Sequence, residues 1–274
     1  MNQRIIIIIL IILGLGGVGW AVASHLKKSA AAKNDAATAL PVAQLLNEAE
    51  KNETDGDKLK AKDIYNEILS EYPDYDKIQD IQDKLGLLNV AIITANVPAP
   101  ETLLHEVVPG DSLGKLSKKY NTTKELIKKT NVLKSDVIRV GQKLRIWNAP
   151  FNVQVKKAQN ILMLKNGDEV LKVYHVSTGA NNITPVGTFK IATKLANPVW
   201  FKPGGAPVPP ESPENVLGTR WMGFDTDPHY GIHGTTDPDK IGQQVTAGCV
   251  RMRNAEVEEL YDLLPIGTQV VIQD

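Results

Sequence analysis

His233 and Cys249 stand sixteen residues apart in YGIHGTTDPDKIGQQVTAGCVRMRN, the segment from Tyr230 to Asn254. A thiol attacks as its thiolate, and a nearby imidazole is the usual means of producing one near neutral pH. Cys249 is the only cysteine in 274 residues, so it has no disulfide partner in its own chain. One cysteine with a histidine elsewhere in the chain is a candidate nucleophile and base. Gly248 precedes the thiol, and its missing Cβ gives a substrate room to approach. A lone cysteine is also commonly an inert, buried small hydrophobe, so its count alone establishes no chemistry. A metal reading could use His229 and His233. However, Pro228, Gly231 and Gly234 exclude the helix that would put both on one face, and no third ligand is evident. No metal and no cofactor is expected.

The detail of the motif says more than the pair. Gly-Ile-His-Gly (231–234), then Thr-x-Gly-Cys-Val-Arg-Met-x-Asn (246–254), resembles the catalytic signature of the L,D-transpeptidases, the YkuD family of peptidoglycan cross-linking enzymes. The resemblance runs upstream in order. NILMLKNGDEVLKVYHV (160–176) is similar to the family's opening strands. STGANNITPVGTFKI (177–191) carries its Thr-Pro-x-Gly-x-Phe segment, and ENVLGTRWMGF (214–224) its Asn-x-Leu-Gly-x-Arg-Trp segment. One position departs: many members carry His before the Gly-Cys pair, where Ala247 stands here.

The resemblance implies roles residue by residue. Cys249 is the acyl acceptor, and His233 is the base that takes its proton and later assists the incoming amine. The Gly234 carbonyl orients the imidazole, in place of the carboxylate of a serine-protease triad. Backbone amides of Gly248 and Cys249 are the expected oxyanion donors. Arg251, two residues beyond the nucleophile on an extended segment, points to the same face and suits the carboxylates of a stem peptide; the alternative is a surface ion pair. Thr246 is expected to hydrogen-bond the loop presenting Cys249, and Tyr230 to form a pocket wall or fill the core.

The rest of the chain must deliver and position that site. Ile5 to Ala23 is a nineteen-residue run without a charge, long enough to cross a bilayer as a helix. Ala21-Val22-Ala23 before Ser24 also fits a signal-peptide cleavage site. The length of the run favours an uncleaved anchor, and either reading exports the chain. Residues 1–26 are read as the membrane segment and 27–40 as an alanine-rich linker. Over 41–95 the apolar residues fall in three helical stripes: Val42, Leu45, Leu46, Ala49; then Ala61, Ile64, Tyr65, Ile68, Leu69; then Ile78, Ile81, Leu85, Leu88, Ile92. Ala61 to Gly86 resembles a tetratricopeptide-type helix pair, although one repeat cannot bury its own face. This unit reads as a spacer, followed by a stiff proline linker at 96–102.

Residues 103–148 read as strand, helix, helix, strand. Pro109-Gly110-Asp111 turns out of the first strand, Thr122 with Glu125 forms a capping box for the second helix, and Lys143 to Trp147 is the last strand. With Gly-Asp-Ser-Leu, Tyr-Asn-Thr-Thr and Val-Gly-Gln-Lys-Leu in order, the unit looks like a LysM domain. That implies binding to the glycan backbone of peptidoglycan or chitin through Gly110–Leu113 and Asn131–Ile138. Pro198 to Asn215 is too proline-rich for regular structure and is expected to loop over the active site.

The expected architecture is multidomain: a mostly β, sandwich-like catalytic domain over 150–274, a small βααβ LysM domain, a helical spacer and an N-terminal membrane helix. The expected reaction is acyl transfer from a tetrapeptide stem, releasing D-alanine, to an amine of a neighbouring stem. Hydrolysis of the same substrate, attachment of a protein to the wall, and a non-catalytic wall-binding protein are the alternatives. Expected partners are stem peptides, glycan strands and the membrane, with the catalytic domain outside the cytoplasm. Basic and acidic residues balance at 31 each, which speaks against nucleic acid, and no protein partner is named by the sequence.

Overall fold

In the computed structural model, residues 40–202 and 204–274 are described. The apolar run at 5–23 and the linker through residue 39, with the anchor assigned to them, lie outside the described residues. Among the described residues no helix is long and apolar enough to cross a membrane.

Three helices come first: α1 (residues 40–55), α2 (Lys58–Glu71) and α3 (Ile78–Thr94). Asp57 caps α2 by accepting from Lys60 N–H. The three apolar stripes converge into one cluster containing Val42, Ala49, Ala61, Tyr65, Ile68, Ile81, Leu85, Leu88 and Ile92. Burying an alternating helical face is what stabilises so short a bundle.

The next unit is β1 (Thr102–Glu106), α4 (Leu113–Lys119), α5 (Lys124–Thr130) and β2 (Lys143–Trp147), with β1 antiparallel to β2. Ser112 caps α4. The cap of α5 is Thr123, whose hydroxyl accepts from Leu126 N–H at 2.9 Å, so the cap lies one residue beyond the expected Thr122, and with Leu126 at its third position the capping box expected with Glu125 does not form. Thr122 instead is buried with its hydroxyl unpartnered.

Residues 150–274 supply β3 (Asn152–Lys156), β4 (Ile161–Asn166), β5 (Glu169–His175), β6 (Thr178–Gly179), β7 (Gly187–Ala196), β8 (Trp200–Phe201), β9 (Pro207–Val208), β10 (Arg220–Phe224), β11 (Gly231–His233), β12 (Gln244–Thr246), β13 (Val250–Arg251), α6 (Asn254–Leu263) and β14 (Gln269–Gln273). The main sheet has eight strands in the order β13-β11-β10-β7-β14-β3-β4-β5. β7 joins its halves: residues 187–190 pair with β14 and residues 191–196 with β10. The proline-rich segment is not wholly irregular, since β8 and β9 form a short hairpin. Buried Asn215 pins its base by donating to the Pro198 carbonyl at 2.9 Å.

The helical unit is not a free-standing stalk. Asn89 of α3 donates to the Leu171 carbonyl of β5 at 2.9 Å, and Val90, Ile93, Leu126 and Trp147 belong to the same apolar cluster as Val153, Leu162, Leu171 and Val270. Trp147, at the end of β2, stacks on Phe151 at 5.8 Å. From α5, Lys129 pairs with Asp262 of α6 at 2.6 Å, and the Thr123 hydroxyl reaches the Asp262 carbonyl. α3 therefore buries a second face, carrying Asn89, Val90 and Ile93, against the sheet that follows.

Candidate active site

β10, β11 and β13 lie side by side at one end of the main sheet. β11 runs antiparallel to β10, with His233 opposite Trp221, and parallel to β13, with His233 opposite Arg251. This register brings the expected base and the residues flanking the expected nucleophile together. His233 is 3% exposed and its ring stacks near that of Trp221, with centroids 6.0 Å apart.

His233 Nδ1 lies 2.7 Å from the Gly234 carbonyl oxygen. A carbonyl only accepts, so Nδ1 carries the proton and Nε2 presents a lone pair. The loop holding Gly234 is fixed from α6: Asn254 Oδ1 accepts from Thr235 N–H at 2.9 Å and Thr219 N–H at 3.3 Å. A Cβ on Gly234 would stand 2.2 Å from that oxygen. Asn254 closes the recognised motif, yet its clamping role has no signature in the sequence.

The loop before β13 presents Cys249. The Thr246 hydroxyl donates to the Cys249 carbonyl at 2.7 Å and accepts from Gly248 N–H at 3.2 Å. Thr246 thus ties the Cys249 loop together through its hydroxyl. The Gly248 amide, however, is spent on that hydroxyl, which removes it as an oxyanion donor and leaves the Cys249 amide. Gly248 has φ +118°, and a Cβ there would meet Tyr230 Cε1 at 2.4 Å. The space at Gly248 is taken by the Tyr230 ring rather than left for substrate, and Tyr230 is partly buried against the main core.

Cys249 is partly exposed, and its thiol donates to the His229 carbonyl at 3.4 Å, not to His233. Burial pushes the thiol up to about 11; Gly231 N–H and Arg251 oppose this and Asp227 adds to it. Burial, followed by the Arg251 guanidinium, holds the His233 imidazole down at about 4 against the pull of the Gly234 carbonyl. At neutral pH both groups are therefore uncharged. Both shifts oppose a resting thiolate–imidazolium pair, because low-polarity surroundings penalise both charges.

Arg251 is anchored by paired bonds with Ser177, each 2.8 Å, and its Nε is buried without a partner among the described residues. His229, weighed as a metal ligand, is 88% exposed and pairs with Asp227 at 2.8 Å. Among the described residues no group of three metal-ligating side chains occurs.

Two family models match the chain: LysM domain over residues 105–147, and YkuD, the L,D-transpeptidase catalytic domain, over 150–272. YqjB of Bacillus subtilis, which carries an L,D-transpeptidase name, is 42% identical over 127 residues, spanning 44% of this chain and 70% of its own length. YkuD of Bacillus licheniformis, named likewise, is 31% identical over 178 residues, spanning 62% of this chain and 98% of its own. An L,D-transpeptidase structure from Mycobacterium smegmatis is 20% identical with a TM-score of 0.39, and the match spans 50% of this chain and 65% of that one, just under two thirds. The chain belongs to the YkuD family of L,D-transpeptidases, with a LysM domain preceding its catalytic domain.

Proposed function

We propose that this protein is a peptidoglycan L,D-transpeptidase in which Cys249 carries the acyl group and His233 moves its proton. The observation that carries the reading is the locked tautomer of His233, whose Nε2 lone pair is left free on the strand beside the Cys249 loop. Family membership and the LysM domain support a wall substrate and a site of action outside the cytoplasm. Anchoring through residues 1–26 is part of the proposal, resting on the apolar run alone.

In the first step the thiol turns from the His229 carbonyl to His233 Nε2 as the substrate carbonyl arrives. The proton passes to Nε2 while sulfur attacks, because neither group is charged at rest. Catalytic hydrogen bonds commonly tighten only once substrate is bound. The Cys249 amide steadies the developing oxyanion, a contribution of about 3 kcal/mol when well aimed. The C–N bond then breaks, His233 returns the proton to the departing D-alanine nitrogen, and a thioester remains. In the second step an amine of a neighbouring stem attacks, its proton goes to His233 and then to sulfur, and a new amide is released. The Arg251 guanidinium, two residues beyond the nucleophile, suits a stem carboxylate. LysM keeps glycan nearby, which can raise the local stem concentration about a hundredfold.

Purified muropeptides incubated with the protein and resolved by mass spectrometry test the reading. New cross-linked dimers are expected with the wild type and none with Cys249→Ala. Shortened monomers alone would mean hydrolysis, and no change would leave a wall-binding protein.

A further inference from the structure

We propose that Asp227 and His229, at the lip of the Cys249 recess, receive the acceptor amine, and that His229 Nε2 takes the proton the incoming ammonium must lose. This inference rests on the transpeptidase reading and assigns its acceptor side.

The need for a second base comes from counting protons. An aliphatic amine with an ordinary pKa of about 10.4 arrives as an ammonium, which has no lone pair with which to attack. His233 is neutral again once D-alanine has left, and it can accept a single proton during amine attack. That proton is the one released as the new C–N bond forms, and it is needed to restore the thiol. The earlier proton, from ammonium to amine, must go elsewhere and finally to water.

Asp227 and His229 are built for that transfer. Asp227 Oδ1 accepts from both the backbone N–H of His229, at 2.9 Å, and its Nδ1, at 2.8 Å. A carboxylate only accepts, so in the neutral ring Nδ1 carries the hydrogen and Nε2 the lone pair. The same two donors hold the Asp227 carboxyl below the usual carboxylate range, so it is ionised and attracts a cation. His229 is 88% exposed and can pass a proton to solvent, whereas His233 is 3% exposed and cannot. The carbonyl of His229 itself lies 3.4 Å from the Cys249 sulfur, which places the imidazole on the residue whose main chain touches the nucleophile.

Charge divides the surroundings in the same sense. The thiol has Arg251 as a positive neighbour and Asp227 as a negative one. Arg251 favours the carboxylates of the donor and repels an ammonium. Asp237, the other acid acting on Arg251, is paired with Lys240 at 2.7 Å. Two histidines in two environments thus divide the work: the buried one serves sulfur, and the exposed one serves the acceptor.

The test uses the full chain, a tetrapeptide donor and two nucleophiles. One is Nα-acetyl-lysine, whose side chain is an ammonium at pH 7; the other is hydroxylamine, which is already neutral there. Wild type, His229→Gln and Asp227→Asn are compared by the ratio of transfer product to hydrolysed donor. With Nα-acetyl-lysine the ratio is expected to fall at least tenfold in both variants; with hydroxylamine it is expected to hold within twofold. An unchanged ratio with Nα-acetyl-lysine overturns the inference. Equal losses with both nucleophiles also overturn it, since they would mark a purely structural role. Failure of the wild type to release D-alanine before any nucleophile is added brings down the transpeptidase reading itself, and is seen separately.

Discussion

Asn254 Oδ1 accepts the backbone N–H of Thr235 at 2.9 Å, one residue beyond the carbonyl that holds His233. The first residue of α6 thereby sets the loop on which the imidazole depends. Asn254→Ala leaves the Thr235 and Thr219 amides without that acceptor. The expected result is a fall in D-alanine release of roughly tenfold, or ~1.4 kcal/mol in the barrier, carried by kcat rather than KM. Denaturation should show a stability loss of about 1–3 kcal/mol from the unpaired amides. Single-turnover kinetics and a urea titration check the two halves.

Gly248 and Tyr230 form a second fitted pair. Gly248→Ala places a methyl 2.4 Å from the Tyr230 ring at a backbone angle of +118°. Acyl-enzyme formation is expected to fall at least tenfold. The double variant with Tyr230→Ala should recover only part, because the contact is relieved and the backbone strain stays. Full recovery in the double variant would make the contact the whole effect.

The neutral resting pair predicts slow, pH-sensitive alkylation. With the thiol at about 11, iodoacetamide should modify Cys249 more slowly at pH 7 than an ordinary free thiol, and the rate should rise toward pH 11. A thiolate-imidazolium pair would give the opposite, a fast reaction already level near pH 6. Mass spectrometry of the quenched protein reads either outcome.

His233 carries a stability prediction whose sign follows from its burial. Its value in the fold, about 4, lies below the unfolded 6.5, so the unfolded chain binds the extra proton first as pH falls. Stability from this group is present above pH 6.5 and is lost as pH drops toward 4, by about 3 kcal/mol. Denaturant midpoints at pH 7 and pH 4 should therefore differ more for the wild type than for His233→Gln.

Much of this was legible in the residues. Lys143 to Trp147 was read as a strand to the residue, since its flanking Gly141 turn and alternating Leu144 and Ile146 mark both its end and its inner face. The three helical stripes were legible because period alone marks a buried face. Period does not say what covers that face. The docking of Asn89 on Leu171 joins residues 82 apart in sequence, and the helical unit was therefore read as a spacer. The cap of α5 falls one residue later than expected because Thr122 and Thr123 offer the same hydroxyl, and the contact with α6 involves Thr123. At the site, residue types and spacing single out His233 and Cys249 as candidates, and the family resemblance adds Gly234 and Thr246. The occupied amide of Gly248 and the Asp227–His229 pair each join residues two apart within one loop, and they depend on local backbone angles that residue types and spacing leave open.

The docking of the helical unit is itself testable. Asn89→Ala removes a buried bond between α3 and β5, and a loss of about 1–3 kcal/mol in unfolding free energy is expected. A change within 0.3 kcal/mol in urea denaturation would mean that the apolar contacts of Val90 and Ile93 hold the two units without it.

The most direct measurement of the central claim is the intact mass of the protein after brief incubation with a tetrapeptide donor, followed by peptide mapping. The account predicts a gain equal to the donor less D-alanine, located on Cys249, absent from Cys249→Ala, and slow to form in His233→Gln. D-Alanine release persisting in Cys249→Ala, or an adduct on any other residue, would contradict it.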